Sequence, residues 1–242
     1  MRILCVSDTH VGGKYSISSE HSGEIQQYYY RKWCDMVDEV GRVDALFHLG
    51  DVCEGVDKKN DGSGAWETDL LAQAEDAKTL LGMVRTDKYY IADGTPYHTN
   101  KNMSADGVVA KLLGGTFDID HIVKCEKVRV HIRHFTPFSE MPNNSGNGLG
   151  KDLTWARIHK DKYGEIKLML RGHVHDIELK GNGECIALAV PCWKGRDEYI
   201  RRKSMGVPDN GYVVLHIDGS SFSYDIHKFD LPKYLIMNES KL

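Results

Sequence analysis

Short apolar runs alternate with helix-like segments through the first half of the chain, and this alternation limits the fold more than any other feature. The strand-like runs are residues 2–7 (RILCVS), 44–49 (DALFHL) and 88–92 (KYYIA). Apolar and aromatic side chains at helical spacing predict helices over 24–40 and 67–84. Alternation of this kind favours an α/β fold in which helices connect buried, parallel strands.

The second half of the sequence is richer in strands. A short helix is predicted over 104–113 with Ser104 as its N-cap, and a weakly helical segment over 151–163. Alternating polarity and turn residues predict three hairpins, which lie at 122–135, 177–190 and 212–229. Because the sequence has no repeat or linker, we expect one domain over 1–242, with an α/β core built on two sheets.

The composition is that of an ordinary globular protein. Hydrophobic residues make up 41% of the chain and charged residues 27%, and the net charge is −4 with neutral histidine. This charge gives no general nucleic-acid signature, although it leaves room for a local basic patch. The six cysteines form no Cys-x-x-Cys pair, so we expect reduced thiols. No stretch resembles a signal peptide or membrane span, so we expect a cytoplasmic protein without membrane contact.

The sequence LRGHVHD at 170–176 places two histidines one residue apart at the end of a strand-like run. Side chains at i and i+2 of an extended segment point to the same side, so His173 and His175 share a face. Gly172 allows the backbone to turn there. An isolated pair of this kind is more often two surface histidines in a turn. Its meaning therefore depends on what stands at the ends of the other strands.

Residue types that bind metals follow five of the predicted strands. The set consists of Asp8 and His10, Asp51, the segment 94–98 (GTPYH), His134, and His173 with His175. In open α/β sheets the carboxyl ends of the strands form the ligand crevice, so residues far apart in sequence converge there. The alternative is that each of them is an ordinary turn, cap or strand residue.

His134 must be distinguished from His131 on the same predicted strand. In VRVHIRH (128–134) the apolar side chains at 128, 130 and 132 share the face of His134, which therefore continues the buried face to the strand end. His131 shares the other face with Arg129 and Arg133, and we expect it to face solvent.

The mixture of carboxylates and imidazoles indicates the kind of ion. It suits divalent transition metals, with Mn²⁺ expected foremost and Fe, Zn or Ni as alternatives, rather than the all-oxygen sites of calcium. The set holds more ligands than one ion uses. Two ions about 3.5–4 Å apart, bridged by one carboxylate, would use them.

The order of these elements resembles the calcineurin-like metallophosphoesterases. Five elements follow one another over most of the chain: Asp-x-His (8–10), Gly-Asp (50–51), a Gly-Thr-x-x-His element, a lone strand-end histidine and Gly-His-x-His (172–175). The resemblance implies a two-sheet β-sandwich flanked by helices. It also implies one metal held by Asp8, His10 and His175, a second held by His134 and His173, and Asp51 bridging both.

The third element departs from the family pattern, which is Gly-Asn-His with an asparagine that ligates the second metal and a histidine over the scissile phosphate. Here Thr95 is aligned with the asparagine, and its hydroxyl is a weaker ligand than an amide oxygen. His98 lies two residues further along than the family's histidine. Such variants look like those of phosphoesterases encoded by phages and prophages. The alternatives are a plain turn residue for Thr95 and a surface histidine for His98.

The resemblance implies hydrolysis of phosphate esters by a hydroxide that bridges two metals. We expect His98 to be the catalytic acid that protonates the leaving oxygen. Three classes of function stay open: a phosphodiesterase or nuclease, a phosphomonoesterase acting on protein or small molecules, and a non-catalytic scaffold of the same fold. The phage-like context and the cationic stretch 196–203 favour the first, with DNA or a nucleotide as substrate.

Arg201, Arg202 and Lys203 form the densest part of that cationic stretch. If they lie at the mouth of the crevice, they are candidate substrate-binding residues that hold a phosphate. The alternative is a solvated charge cluster.

Overall fold

The computed structural model describes residues 1–21, 23–56, 62–96, 104–137, 144 and 146–237, except the side chains of Tyr199 and Tyr234. In chain order its elements are β1 (Arg2–Val6), α1 (Glu24–Val40), β2 (Ala45–His48), α2 (Leu70–Gly82), β3 (Tyr89–Ala92), α3 (Ala105–Leu112), β4 (Thr116–Asp118), β5 (Asp120–Cys125), β6 (Val128–Arg133), α4 (Asn147–Ile158), α5 (Lys160–Tyr163), β7 (Leu168–Arg171), β8 (Glu178–Gly181), β9 (Ile186–Ala189), α6 (Glu198–Lys203), β10 (Gly211–Asp218), β11 (Ser221–Lys228) and α7 (Lys233–Ile236).

The strands form two mixed sheets. One has six strands in the order β11-β10-β1-β2-β3-β4, and the other has five in the order β5-β6-β7-β9-β8. In the first sheet β1 to β4 are parallel, and in the second β6, β7 and β9 are parallel. The remaining pairs are antiparallel: three hairpins, and the pair of β1 with β10 inside the first sheet.

Alternate residues of each central strand fill different cores. Ile3 of β1 lies in the core between the sheets, together with Leu170 of β7. Its neighbour Leu4 lies in the core beneath α1, together with Trp33. On the second sheet, Met169 of β7 belongs to a third core under α4. The layers are therefore helices, sheet, sheet and helix, and strands buried on both faces explain the continuous apolar runs.

The architecture confirms the predicted α/β fold with a two-sheet sandwich flanked by helices. α1 has the predicted bounds, and the three predicted hairpins are present. α2 begins at Leu70 rather than at 67, because the Asp69 side chain accepts the N–H of Leu71 and caps the helix. α6 is absent from the predicted elements, since its six residues are too few to show a helical period.

The expectation that His131 faces solvent is wrong. β6 lies between β5 and β7, and only 9% of His131 is exposed. Its Nδ1 accepts a hydrogen bond from Nη2 of Arg171 at 3.1 Å, and Arg171 is itself fully buried. Asp152 of α4 pairs with Arg171 and covers this face of the sheet.

Among the described residues, no helix has the length and apolar character needed to cross a membrane.

Candidate metal centre

Six of the predicted ligand residues meet where strands of both sheets end. Asp8 and His10 follow β1, Asp51 follows β2, and His134, His173 and His175 follow β6 and β7. Backbone hydrogen bonds hold these loops together: the N–H of His10 donates to the carbonyl of Asp51 at 3.0 Å, and that of Gly172 donates to the carbonyl of His134 at 3.0 Å. Between the two sheets, Asp8 and His175 meet at 3.1 Å although they are 167 positions apart in sequence.

The first group consists of Asp8, His10 and His175. Nε2 of His175 lies 3.1 Å from Oδ1 of Asp8 and 3.3 Å from Nε2 of His10. The other carboxylate oxygen of Asp8 accepts the N–H of His173 at 3.0 Å and the hydroxyl of Ser7. One oxygen of Asp8 is thus anchored, while the other faces the two imidazoles.

The second group consists of Asp51, His134 and His173, whose ligand atoms lie within 4.8 Å of one another. Nε2 of His134 is 3.1 Å from Oδ2 of Asp51. The same Oδ2 is 3.9 Å from Nε2 of His10 in the first group. The Asp51 carboxylate therefore stands between the two groups, as a bridging ligand must.

The hydrogen bonds of His134 test whether these residues fit a cation. Nδ1 lies 2.7 Å from the carbonyl of Leu49, so it carries the ring proton and donates it. In a neutral ring the lone pair is then on Nε2, a buried atom that faces Oδ2 of Asp51 at 3.1 Å, acceptor against acceptor. Two buried acceptors that face each other with no cation between them are costly. A cation between His134 and Asp51 would satisfy both, so the residues fit a metal.

The charges around the two groups also favour a bound cation. Burial alone would raise the pKa of Asp8, but His175 and His134 outweigh it and hold that pKa well below its usual range. Burial lowers the pKa of His134, but the carboxylates of Asp51 and Asp8 reverse this and raise it to about 10. Two ionised carboxylates in a buried site draw positive charge to it, whether a proton or a metal ion supplies that charge.

The backbone at this site is strained. Six described non-glycine residues have left-handed φ angles, between 45° and 75°. Five of these belong to the candidate set: Asp8, His10, Asp51, His173 and His175. Such conformations cost about 1–3 kcal/mol each and persist where the surrounding structure enforces them. The strained turns aim the side chains at a common point.

Close packing at Gly50 shows how tightly the loops meet. Its φ is +93°, and a Cβ there would lie 2.7 Å from Cβ of His134. Glycine is needed both for this conformation and for the contact between the two strand ends. The Gly-Asp and lone-histidine elements of the sequence are therefore coupled by packing.

Asp106 supports the site although the sequence patterns did not indicate it. Its carboxylate accepts the N–H groups of Asp51 at 3.0 Å, Val52 at 3.0 Å and Gly94 at 2.9 Å. It joins the loop after β2 to the loop after β3. Burial and the charge of Asp51 raise the pKa of Asp106 to about 7. An acidic residue in the first turn of α3 was the only signal, and it is equally typical of any helix start.

A buried ion-pair chain leads from the site to α6. Oε2 of Glu54 lies 2.8 Å from Nδ1 of His10. Nζ of Lys194 is 3.1 Å from Oε2 of Glu54 and 3.2 Å from Oδ2 of Asp197, which caps α6. Only 6% of Lys194 is exposed. Glu54 and Lys194 are far apart in sequence, so no local pattern indicated the pair.

The remaining predicted residues have different placements. Thr95 donates to the Asp51 carboxylate, from its N–H at 2.6 Å and from its hydroxyl at 2.6 and 2.9 Å, so its role as a metal ligand stays a prediction. His98 lies outside the described residues, and the phage-type resemblance stays a prediction with it.

The three cationic residues lie on α6, and all are exposed. Arg202 pairs with Glu198 at 3.4 Å on the same helix. Arg201 lines a cavity of about 390 Å³ together with Arg196 and Tyr15. Their part in substrate binding stays a prediction.

No protein-family model matches the chain, and no curated protein matches it with significance. Solved structures do match. Wild-type Vps29 from Entamoeba histolytica, complexed with Zn²⁺, is 14% identical and aligns over 95% of this chain and 100% of its own, with a TM-score of 0.52. Vps29 from Chaetomium thermophilum is 11% identical over 95% and 97%, with a TM-score of 0.52. An archaeal phosphodiesterase is 11% identical over 94% and 100%, with a TM-score of 0.50.

At such low identities the likeness concerns the fold alone. The alignments span nearly the whole of this chain and of the three solved structures. They therefore include both mixed sheets and the helices outside them. The chain therefore has the fold of the calcineurin-like metallophosphoesterases.

Proposed function

We propose that this chain is a metal-dependent phosphoesterase that hydrolyses phosphodiesters of nucleic acid or nucleotides. The observation that carries the proposal is the convergence of two imidazole–carboxylate groups that share the Asp51 carboxylate between them. The acceptors of His134 and Asp51 that face each other and the strained turns support it, because a bound cation would satisfy the first and the second are typical of ligand sites. The fold, which an archaeal phosphodiesterase shares, is consistent with it.

Two divalent ions, Mn²⁺ foremost, would be held by the chain's own residues. Asp8, His10 and His175 would bind one ion, His134 and His173 the other, and Asp51 both. Bound ions would lower the pKa of a water and neutralise charge on the phosphoryl oxygens.

The protein's part is to hold the ligand atoms in place. The carbonyl of Leu49 orients the His134 ring, the N–H of His173 anchors Asp8, and Thr95 holds the Asp51 carboxylate. Ligands held in this way need little reorganisation when an ion or substrate binds. We assign to His98 the donation of a proton to the leaving oxygen.

The test combines metal analysis with two model esters. Purified protein is supplied with Mn, Fe, Zn or Ni, and its metal content is measured beside hydrolysis of bis-(p-nitrophenyl) phosphate and p-nitrophenyl phosphate. We expect up to two ions per chain, a higher kcat/KM for the diester and loss of activity in chelator. The Asp51→Asn variant should bind neither ion, and its activity should fall by more than about a hundredfold. The loss of a residue that only supports a metal ligand typically lowers activity by about 10–100-fold.

A surface carboxylate offers the matched control. Asp225 on the edge strand β11 is exposed and lies 3.0 Å from Nε2 of His216 on β10, so Asp225→Asn should change neither metal content nor rate. Hydrolysis that persists in chelator contradicts the proposal. Metal-loaded protein that cleaves neither ester contradicts it too, and favours a scaffold. A higher kcat/KM for the monoester replaces the phosphodiesterase assignment with that of a phosphomonoesterase.

A further inference from the structure

Phe135 is an exposed aromatic side chain at the edge of the candidate metal centre. It directly follows His134, and 50% of the residue is exposed. Its ring centroid lies 4.9 Å from that of His173, with the two rings tilted by 43°. Since His173 belongs to the second ligand group, an apolar ring face stands beside the place where a phosphate ester would bind.

The backbone of Phe135 is anchored although its ring is exposed. Nε of Arg133 donates to the Phe135 carbonyl at 3.1 Å. Nη2 of the same arginine donates to both carboxylate oxygens of Asp152, at 2.8 and 2.9 Å. Asp152 also accepts a hydrogen bond from Nε of the fully buried Arg171 at 2.6 Å. A ring presented from an anchored backbone loses less conformational entropy when a ligand covers it.

We propose that Phe135 determines specificity by stacking against a nucleobase of the ester, so that nucleotides are favoured over esters without an aromatic group. The inference rests on the proposed function and adds the substrate class. A base has an apolar π-face regardless of its identity, and a stacked aromatic side chain typically strengthens binding by about tenfold or more. The contact is sequence-tolerant, because it reads no hydrogen-bonding edge of the base.

An exposed aromatic residue is not by itself unusual. Trp155 on α4 is also exposed, by 58%, and its ring stacks on His159 rather than on a ligand residue. It provides a matched control for the loss of an exposed aromatic ring. The distinction between the two residues is their position relative to the ligand groups.

The experiment measures binding rather than turnover. Affinities of the metal-loaded protein for AMP, ribose 5-phosphate and inorganic phosphate are determined by calorimetry. In the wild type we expect AMP to bind about tenfold or more tightly than ribose 5-phosphate. Phe135→Ala and Phe135→Leu should remove this preference while metal content and phosphate affinity stay within about twofold. Phe135→Trp should keep the preference, and Trp155→Ala should behave as the wild type.

The outcomes separate this inference from the proposed function. Equal binding of AMP and ribose 5-phosphate by the wild type, or an AMP preference that survives in both Phe135→Ala and Phe135→Leu, overturns the stacking role. Neither result bears on the proposed phosphoesterase function, which hydrolysis of the model esters tests separately. A base preference that depends on Phe135 in a protein that cleaves no ester supports the stacking role and contradicts only the phosphoesterase proposal.

Discussion

Two residues hold Asp51 from different directions at the centre of the site. Thr95 donates to its carboxylate, and Asp106 accepts its backbone N–H together with those of Val52 and Gly94. The first contact orients the oxygens that lie between the two ligand groups. The second sets the separation of the loops after β2 and β3. The position of Asp51 thus depends on residues that are not among the imidazole–carboxylate groups.

Replacement of Asp106 by Asn tests this dependence. The amide leaves one acceptor oxygen and turns an NH₂ group toward backbone donors, so buried N–H groups lose their partner. We expect the free energy of unfolding to fall by about 1–3 kcal/mol. Metal affinity should also fall by about 10–100-fold, as is typical for a residue that supports a ligand. Chemical denaturation and metal titration measure the two effects.

The exposed Asp218 supplies the control, since Asp218→Asn makes the same substitution at the end of β10. An Asp106→Asn protein with wild-type metal affinity would show that the three backbone hydrogen bonds stabilise the fold without positioning Asp51.

Among the elements, α6 is the one whose link to the site is least evident from the sequence. Its N-cap Asp197 pairs with Lys194, and Lys194 pairs with Glu54 beside His10. Its last turn carries Arg201, Arg202 and Lys203, where cations are favourable because of the helix dipole. The buried ion pairs give the cationic turn a defined position relative to the ligand groups.

Replacing Arg201, Arg202 and Lys203 together by Ala tests whether α6 binds substrate. Alanine preserves the helix. We expect KM for a single-stranded oligonucleotide to rise while kcat changes little. The slope of log affinity against log salt should become shallower by about 0.7 for each phosphate that the variant no longer neutralises. The matched control is Ala at the exposed Lys160 and Lys162 and the partly exposed Lys167, which form another cationic cluster. Unchanged kinetics on the oligonucleotide would assign the α6 cations to a solvated surface.

For the whole molecule, stability depends on buried groups behind the second sheet. Burial and the charges of Arg171 and Arg133 lower the pKa of His131 to about 3. In the unfolded chain His131 would titrate near a pKa of about 6.5. Below that pH the unfolded state therefore binds a proton that the folded state excludes. Stability from this group is complete above about pH 6.5 and is lost as the pH falls toward about 3.

The variant His131→Gln isolates this contribution, because glutamine keeps an acceptor for Arg171 and does not titrate. Between about pH 7 and pH 5 the wild type should lose about 2 kcal/mol of unfolding free energy relative to the variant. Urea denaturation at both pH values measures the difference. His216→Gln, at a histidine that is only partly buried, should show a smaller one. A constant difference between wild type and His131→Gln would mean that His131 is not held neutral.

Local patterns predicted the main elements and the strand ends at which the candidate residues converge. The helical period over 24–40, the hairpin turns and the apolar runs depend on neighbouring residues, which the sequence displays directly. The same holds for strand ends followed by Asp or His, because a parallel strand places its carboxyl end at the crevice wherever its partners lie. Six ligand candidates therefore converge as expected.

The sequence alone determined the fold class, the strand ends and the residue types that gather there, because period, turn chemistry and ligand chemistry are local properties. Only the tertiary structure decided which atoms face one another. It set Asp51 between the two groups, buried His131 against Arg171, and joined Glu54 to Lys194. It also placed Asp106 across two loops. These contacts arise from the packing of two sheets and their helices, which no short stretch of sequence encodes.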